Sequence, residues 1–197
     1  MMEPVNKHSN IRIPTVAELI EKPLDRPQPE ARRPDWTIDQ GWSRYTPQQH
    51  ATWKTLFERQ TRLLPGRACD EFVQGMRDLP ISADQIPDFR SLSDVLMRRT
   101  GWQVVAVPGL VPDEVFFEHL AHRRFPAGNF IRKPHELDYL EEPDVFHDVF
   151  GHAPMLMNPA IADYMQAYSV GGLRAWTDSC RRHFARTWHG PLPQRQA

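Results

Sequence analysis

Nineteen prolines in 197 residues limit the length of every regular element this chain can form. Each proline removes a backbone donor and fixes φ, and the residue before it is pushed out of the helical region. Helices must therefore start at prolines or stop short of them. Six fall early, at Pro4, Pro14, Pro23, Pro27, Pro29 and Pro34, in a polar stretch. Such a stretch buries too little apolar surface to offset its ordering entropy, so residues 1–40 are expected to form an extended, disordered arm. Trp36 and Trp42 are expected to pin its end to a domain.

Regular structure is expected between the remaining prolines. Thr46-Pro47-Gln48-Gln49 has the form of a capping box, with Pro at the first helical position, and Trp53, Leu56, Phe57 and Leu64 follow at helical spacing. A second helix is expected over 68–79, burying Phe72, Val73 and Met76. A third opens at Ser91-Leu92-Ser93-Asp94, turns Val95 and Leu96 inward and ends at Gly101. Gln103–Val107 is the best strand candidate, stopped by Pro108-Gly109. Pro112-Asp113-Glu114 starts a helix with Val115, Phe116 and Leu120 on its apolar side. Residues 126–139, with Pro126, Gly128 and Pro134, are expected to be mostly loop. Helix returns at Pro143 or Asp144, and again from Pro159 to Tyr168 with Ile161, Tyr164, Met165 and Tyr168 as its stripe. The fold class is mainly α with minor short strands, and no internal repeat is present.

Composition narrows the partners. A hydrophobic fraction of 40% supports one full core, and a net charge of −1 offers no field for nucleic acid or an anionic membrane. No apolar run reaches spanning length, and the first residues lack a signal-peptide core. Cys69 and Cys180 form no CxxC pair, which fits two reduced thiols in a cytoplasmic protein.

The chemistry gathers in Glu142-Pro143-Asp144-Val145-Phe146-His147-Asp148-Val149-Phe150-Gly151-His152-Ala153-Pro154. Neutral imidazole suits first-row transition metals, and a nearby carboxylate orients or completes such a site. The His147–His152 gap of five differs from the gap of four in His-Glu-x-x-His, and on a regular helix it rotates the second ring by about 140°. The rings converge only if the helix ends or distorts near Gly151. The spacing argues against a zinc hydrolase, which also needs a general-base Glu. Two ordinary histidines at a helix end, favoured there by the dipole, remain the alternative.

Further motifs run in order along the chain: Tyr45-Thr46-Pro47, then Leu63-Leu64-Pro65-Gly66-Arg67-Ala68-Cys69, then Thr100-Gly101-Trp102-Gln103-Val104-Val105. Val107-Pro108-Gly109-Leu110-Val111-Pro112 and Arg123-Arg124-Phe125-Pro126 follow, ahead of the histidine motif. Together they resemble the pterin-dependent aromatic amino acid hydroxylases, and among these the single-domain bacterial members, from about Trp42 to Gly172. The resemblance implies a helical catalytic-domain fold over residues 41–175 and an Fe(2+) site with His147 and His152 as ligands. It implies tetrahydrobiopterin or a related tetrahydropterin as cofactor, O2 as co-substrate, and hydroxylation of L-phenylalanine to L-tyrosine, by a monomer. Gly109, Leu110 and Phe116 fall in the segment that contacts pterin in the family. Asp148 matches an acidic residue that helps to orient it, and Arg132 matches the arginine that pairs with the amino acid carboxylate. Core packing for Phe116 and a solvated loop position for Arg132 are the plain alternatives.

Motif by motif, the resemblance ends after Gly171-Gly172-Leu173-Arg174-Ala175. The family completes its iron site with a glutamate some forty residues beyond the histidines. Here the carboxylates beyond His152 are Asp163, Asp178 and the C-terminus. Residues 174–197 carry five arginines and one aspartate, a net of +4, which leaves −5 on residues 1–173 of a chain whose net charge is −1. Residues 176–197 are therefore expected to be an atypical Arg-rich tail, produced by a frameshift or similar disruption. The same uninterrupted frame in an independent isolate would contradict that origin. No regulatory domain is expected ahead of the arm. Low or absent hydroxylase activity follows, with a non-catalytic remnant that holds metal weakly or not at all as the second reading.

Overall fold

The computed structural model describes residues 32–177. Among these residues the fold is mainly α, with a single two-stranded parallel sheet and short 3₁₀ and π-helical segments. The tail from residue 178 and Cys180 lie outside the described residues, as do residues 1–31 of the arm.

The arm's last residues belong to the domain. Thr37 and Ile38 are buried, the Ile38 N–H donates to the Ala106 carbonyl at 2.9 Å, and the Asp35 carboxylate accepts the Thr37 N–H and hydroxyl at 3.1 and 2.7 Å. Composition misses this because one turn and one backbone bond to a neighbouring strand do the anchoring. Trp42 pins the segment as expected, donating its indole N–H to the Ile86 carbonyl at 2.7 Å.

Helix α1 (Pro47–Thr61) starts at the expected capping box. The Thr46 hydroxyl oxygen accepts the Gln49 N–H at 3.3 Å, and Gln49 Oε1 accepts the Thr46 N–H at 2.8 Å. It buries Trp53 completely, with the indole N–H donated to the Ser82 carbonyl at 2.8 Å. Helix α2 (Asp70–Asp78) half-buries Phe72, Val73 and Met76; its fully enclosed residue is Gly75. A β-carbon there would collide with the Pro154 carbonyl oxygen, so the bare glycine lets α2 lie directly on the 3₁₀ segment Ala153–Met157. Helix α3 (Phe89–Thr100) starts ahead of Ser91, because Asp88 is the cap and accepts the Arg90 N–H at 3.3 Å and the Ser91 hydroxyl at 3.1 Å. Gly101 ends it in the left-handed region at φ 73°.

Strand β1 (Gln103–Val107), helix α4 (Asp113–Ala121) and strand β2 (Arg124–Gly128) form a parallel crossover, paired from Gln103↔Arg124 to Val107↔Gly128. Strand β2 enters the stretch expected to be loop. Pro126 and Gly128 are weak strand formers, but in a two-stranded sheet each strand keeps an open edge where a missing N–H is tolerated.

Two apolar faces keep part of their expected residues, Leu120 and Val115 on α4 and Ile161 and Met165 on the last helix, and lose their aromatic ones. On α4 the buried residues are His119, Leu120 and Ala121, whereas Phe116 is 37% exposed. Helix α5 (Pro159–Thr177) buries Ala162 and Ser169 and half-buries Ile161 and Met165. Tyr164 and Tyr168 are exposed and stack on each other at 6.1 Å. Helix α5 packs on α4 with Gly172 against the Phe117 ring, and this contact selects the buried side over the apolar stripe.

Candidate metal centre

The histidine motif forms a helical turn whose central part, Phe146–Phe150, is π-helical. This is the distortion that the five-residue gap requires. In a π turn the bonding step is i→i+5, so residues five apart come to one side. The His147 and His152 rings stand 4.8 Å apart at 65°. Opposite them, Phe146 and Phe150 stack at 4.8 Å and dock on Trp53, Phe57 and Phe72. Val145 and Val149 are fully buried alongside. One turn thus anchors apolar residues in the core and presents both imidazoles outward.

Three carboxylates of the motif fix the surrounding loops. Asp144, fully buried, accepts the His147 N–H at 3.0 Å, which is the role of a helix cap at its positive end. It also accepts the Arg132 N–H at 2.9 Å and pairs bidentately with the Arg132 guanidinium, Nε at 2.9 Å and Nη2 at 3.0 Å. Asp148 accepts the Gly128 N–H at 2.8 Å on Oδ2 and holds His147 Nδ1 at 2.9 Å on Oδ1. Glu142, almost wholly buried, accepts the Leu110 N–H at 2.8 Å.

The two imidazoles differ electrostatically. The bond to Asp148 raises the His147 pKa, outweighing the opposing effect of burial. His152 is lowered by burial and then by the charge of His147, so it is the better neutral donor. The Asp148 contact to Nδ1 leaves the His147 Nε2 face for a ligand, an arrangement in which a carboxylate behind the ring fixes its orientation and raises its basicity.

The donor set therefore fits a transition metal at two positions. Among the described residues no group of three or more His, Cys, Asp or Glu side chains could hold an ion, so no third protein ligand joins the pair there. Asp163, one of the carboxylates beyond His152, is paired with Arg123.

The expected site residues are partly brought together. His147, His152 and Asp148 share one turn, Arg132 joins through Asp144, and Gly109-Leu110 joins through Glu142. Arg132 is an enclosed ion-pair member rather than a solvated loop arginine, with 13% of its side chain exposed. Phe116 stands apart, meeting Phe117 at 6.3 Å at the rim of α4, so it is not a core residue. Glu142 and Asp144 join the site through hydrogen bonds that local sequence does not specify. Three acids around the paired histidines were the available signal.

The profile of the biopterin-dependent aromatic amino acid hydroxylase family matches residues 41–189, past the point where the motif-by-motif resemblance ends. Phenylalanine-4-hydroxylase of Caulobacter vibrioides is 65% identical over 152 residues, covering 77% of this chain and 52% of the relative. That of Chromobacterium violaceum is 60% identical over 141 residues, covering 72% and 48%. The structure of Chromobacterium violaceum phenylalanine hydroxylase with bound iron(III) and 7,8-dihydrobiopterin superposes with a TM-score of 0.74. It is 54% identical and covers 83% of this chain and 59% of that one. Its iron- and phenylalanine-bound form superposes with a TM-score of 0.68 at 56% identity, covering 72% and 51%. The chain spans about half the length of the curated relatives it matches. With a matching profile over most of its length and these identities, the chain belongs to the biopterin-dependent aromatic amino acid hydroxylase family.

Proposed function

We propose that this chain carries the two-histidine half of an iron- and tetrahydropterin-dependent phenylalanine hydroxylase site. The observation that carries the reading is the π turn, which brings His147 and His152 to one side with Asp148 behind the first ring. His147 Nε2 and His152 would hold Fe(2+). When bound, iron and tetrahydropterin together supply the activation of O2 needed to hydroxylate L-phenylalanine to L-tyrosine.

The chain's own residues position these groups. Arg132, oriented by Asp144, would use its remaining N–H donors for the carboxylate of the amino acid. Gly109 and Leu110 would approach the pterin through their backbone, and Asp148 would help to orient it. Phe116, exposed on α4 and apart from the histidine turn, would stack on the pterin only by the role its position has in the family. A monomer in a reducing cytoplasm completes the reading. Cys69 is an exposed free thiol, and among the described residues no helix is long and apolar enough to cross a membrane.

A second reading, a non-catalytic remnant with weak or no metal binding, is favoured by the lack of a third ligand among the described residues. Two imidazoles leave the ion's charge uncompensated. The chain, purified with Fe(2+), tetrahydropterin and L-phenylalanine, is expected to bind iron weakly and to form little tyrosine. Stoichiometric tight iron with sustained tyrosine formation would overturn the second reading. No iron binding at any pH near neutrality would overturn the first.

A further inference from the structure

Glu142, Asp144 and Asp148 each leave the histidine motif toward a different loop. Asp144 takes the Arg132 N–H, Asp148 takes the Gly128 N–H, and Glu142 reaches 32 residues back to the Leu110 N–H at 2.8 Å. The side chain of Glu142 is nearly enclosed, at 8% exposure for the residue, so its acceptors are committed within the protein rather than to water. Leu110 follows buried Gly109 in an irregular stretch between β1 and α4. A buried acceptor that meets such an N–H has leverage over the whole turn.

We propose that Glu142 is a positioning residue for the pterin: it ties the Gly109–Leu110 turn to the entry of the turn that bears His147 and His152. This rests on the pterin role given above to Gly109 and Leu110. The reach of the side chain does the work, because the bond needs an oxygen at the end of a two-methylene stem. The substitution Glu142→Gln would keep both stem and acceptor, Glu142→Asp would keep the charge and lose the reach, and Glu142→Ala would lose both.

The experiment is a titration of the full chain and of these three variants with 7,8-dihydrobiopterin, read by its fluorescence. Co(II) affinity from visible absorption and the hydrogen exchange of the Leu110 amide are measured in parallel. Glu142→Ala and Glu142→Asp are expected to weaken dihydrobiopterin by about tenfold or more and to deprotect Leu110, since a lost bond to a charged acceptor is worth about that factor. Co(II) affinity should change by less than about twofold, and Glu142→Gln, which keeps the reach but offers a neutral acceptor, should weaken dihydrobiopterin less than Glu142→Asp does. If Glu142→Ala shows no melting transition, the aspartate and glutamine variants carry the comparison. Unchanged dihydrobiopterin affinity in Glu142→Asp, or equal weakening of both ligands, overturns the proposal. A parent chain that binds no dihydrobiopterin at all overturns the pterin reading itself, and this role with it.

Discussion

Replacing Asp144 by alanine is the most severe single test of how the site is held. Asp144 is fully buried, and its bidentate partner Arg132 is itself only 13% exposed, so the pair is sheltered from water. Removing the carboxylate leaves a guanidinium enclosed without its counter-charge, a change that costs about 3–5 kcal/mol in comparable buried pairs. The His147 and Arg132 N–H groups also lose their acceptor. Each orphaned donor would add about 1 kcal/mol, and more if no water reaches it. A total near 5 kcal/mol consumes much of the stability of an ordinary domain, about 5–15 kcal/mol. For a domain of this size it corresponds to a fall of about 10–20 °C in Tm. Thermal melts and urea titrations followed by circular dichroism measure it directly. The double variant Asp144→Ala/Arg132→Met should recover a substantial part of the loss, because it removes the orphaned charge. A loss below about 1 kcal/mol for Asp144→Ala, or no recovery in the double variant, would refute the idea that the pair is electrostatically enclosed.

Three further predictions concern separate parts of the fold. Gly75→Ala forces a β-carbon into the Pro154 carbonyl, so it should destabilise by about 1–3 kcal/mol despite the better helix propensity of alanine; equal or higher urea resistance would contradict the close approach. His119 is buried with Nε2 at 2.8 Å from the Asp35 carbonyl, and burial lowers its pKa. The unfolded chain then binds the extra proton more readily, so this contribution to stability is present above about pH 6.5 and lost as pH falls below it; in His119→Gln that part of the pH dependence should disappear from urea midpoints at about pH 7.5 and 5. His147→Ala and His152→Ala should each abolish Co(II) binding while leaving the fold intact, His147→Ala at a cost of about 1 kcal/mol for the lost bond to Asp148; retained binding in either variant would remove that residue from the metal site.

Local chemistry was legible where the responsible atoms are neighbours in sequence. The Thr46–Gln49 capping box, the Gly101 helix end and the Gln103–Val107 strand formed as expected. Each depends on a few adjacent residues. Strand β2 was hidden because Pro126 and Gly128 carry loop signals, and only pairing with β1 makes extended structure there worthwhile. The exposed half of the α5 stripe is hidden from periodicity because Tyr164 and Tyr168 fit an apolar pattern, yet the small residue Gly172 is what allows α5 to approach Phe117. The end of the arm was hidden for a related reason: Ile38 is held by a backbone bond to Ala106, far along the chain.

The sequence by itself determined the types of group at the site and their order: two imidazoles, three acids and an arginine ahead of them. Periodicity and capping also determined that helices would carry them. Only the tertiary structure decided that the two rings meet. A gap of five is wrong for an α-helix and right for a π turn, and the turn exists because Phe146 and Phe150 dock together on Trp53, Phe57 and Phe72. It likewise decided that Leu110, Gly128 and Arg132 are held by Glu142, Asp148 and Asp144. The strength of these bonds comes from enclosure, and a carboxylate becomes enclosed only after loops from distant parts of the chain have closed over it.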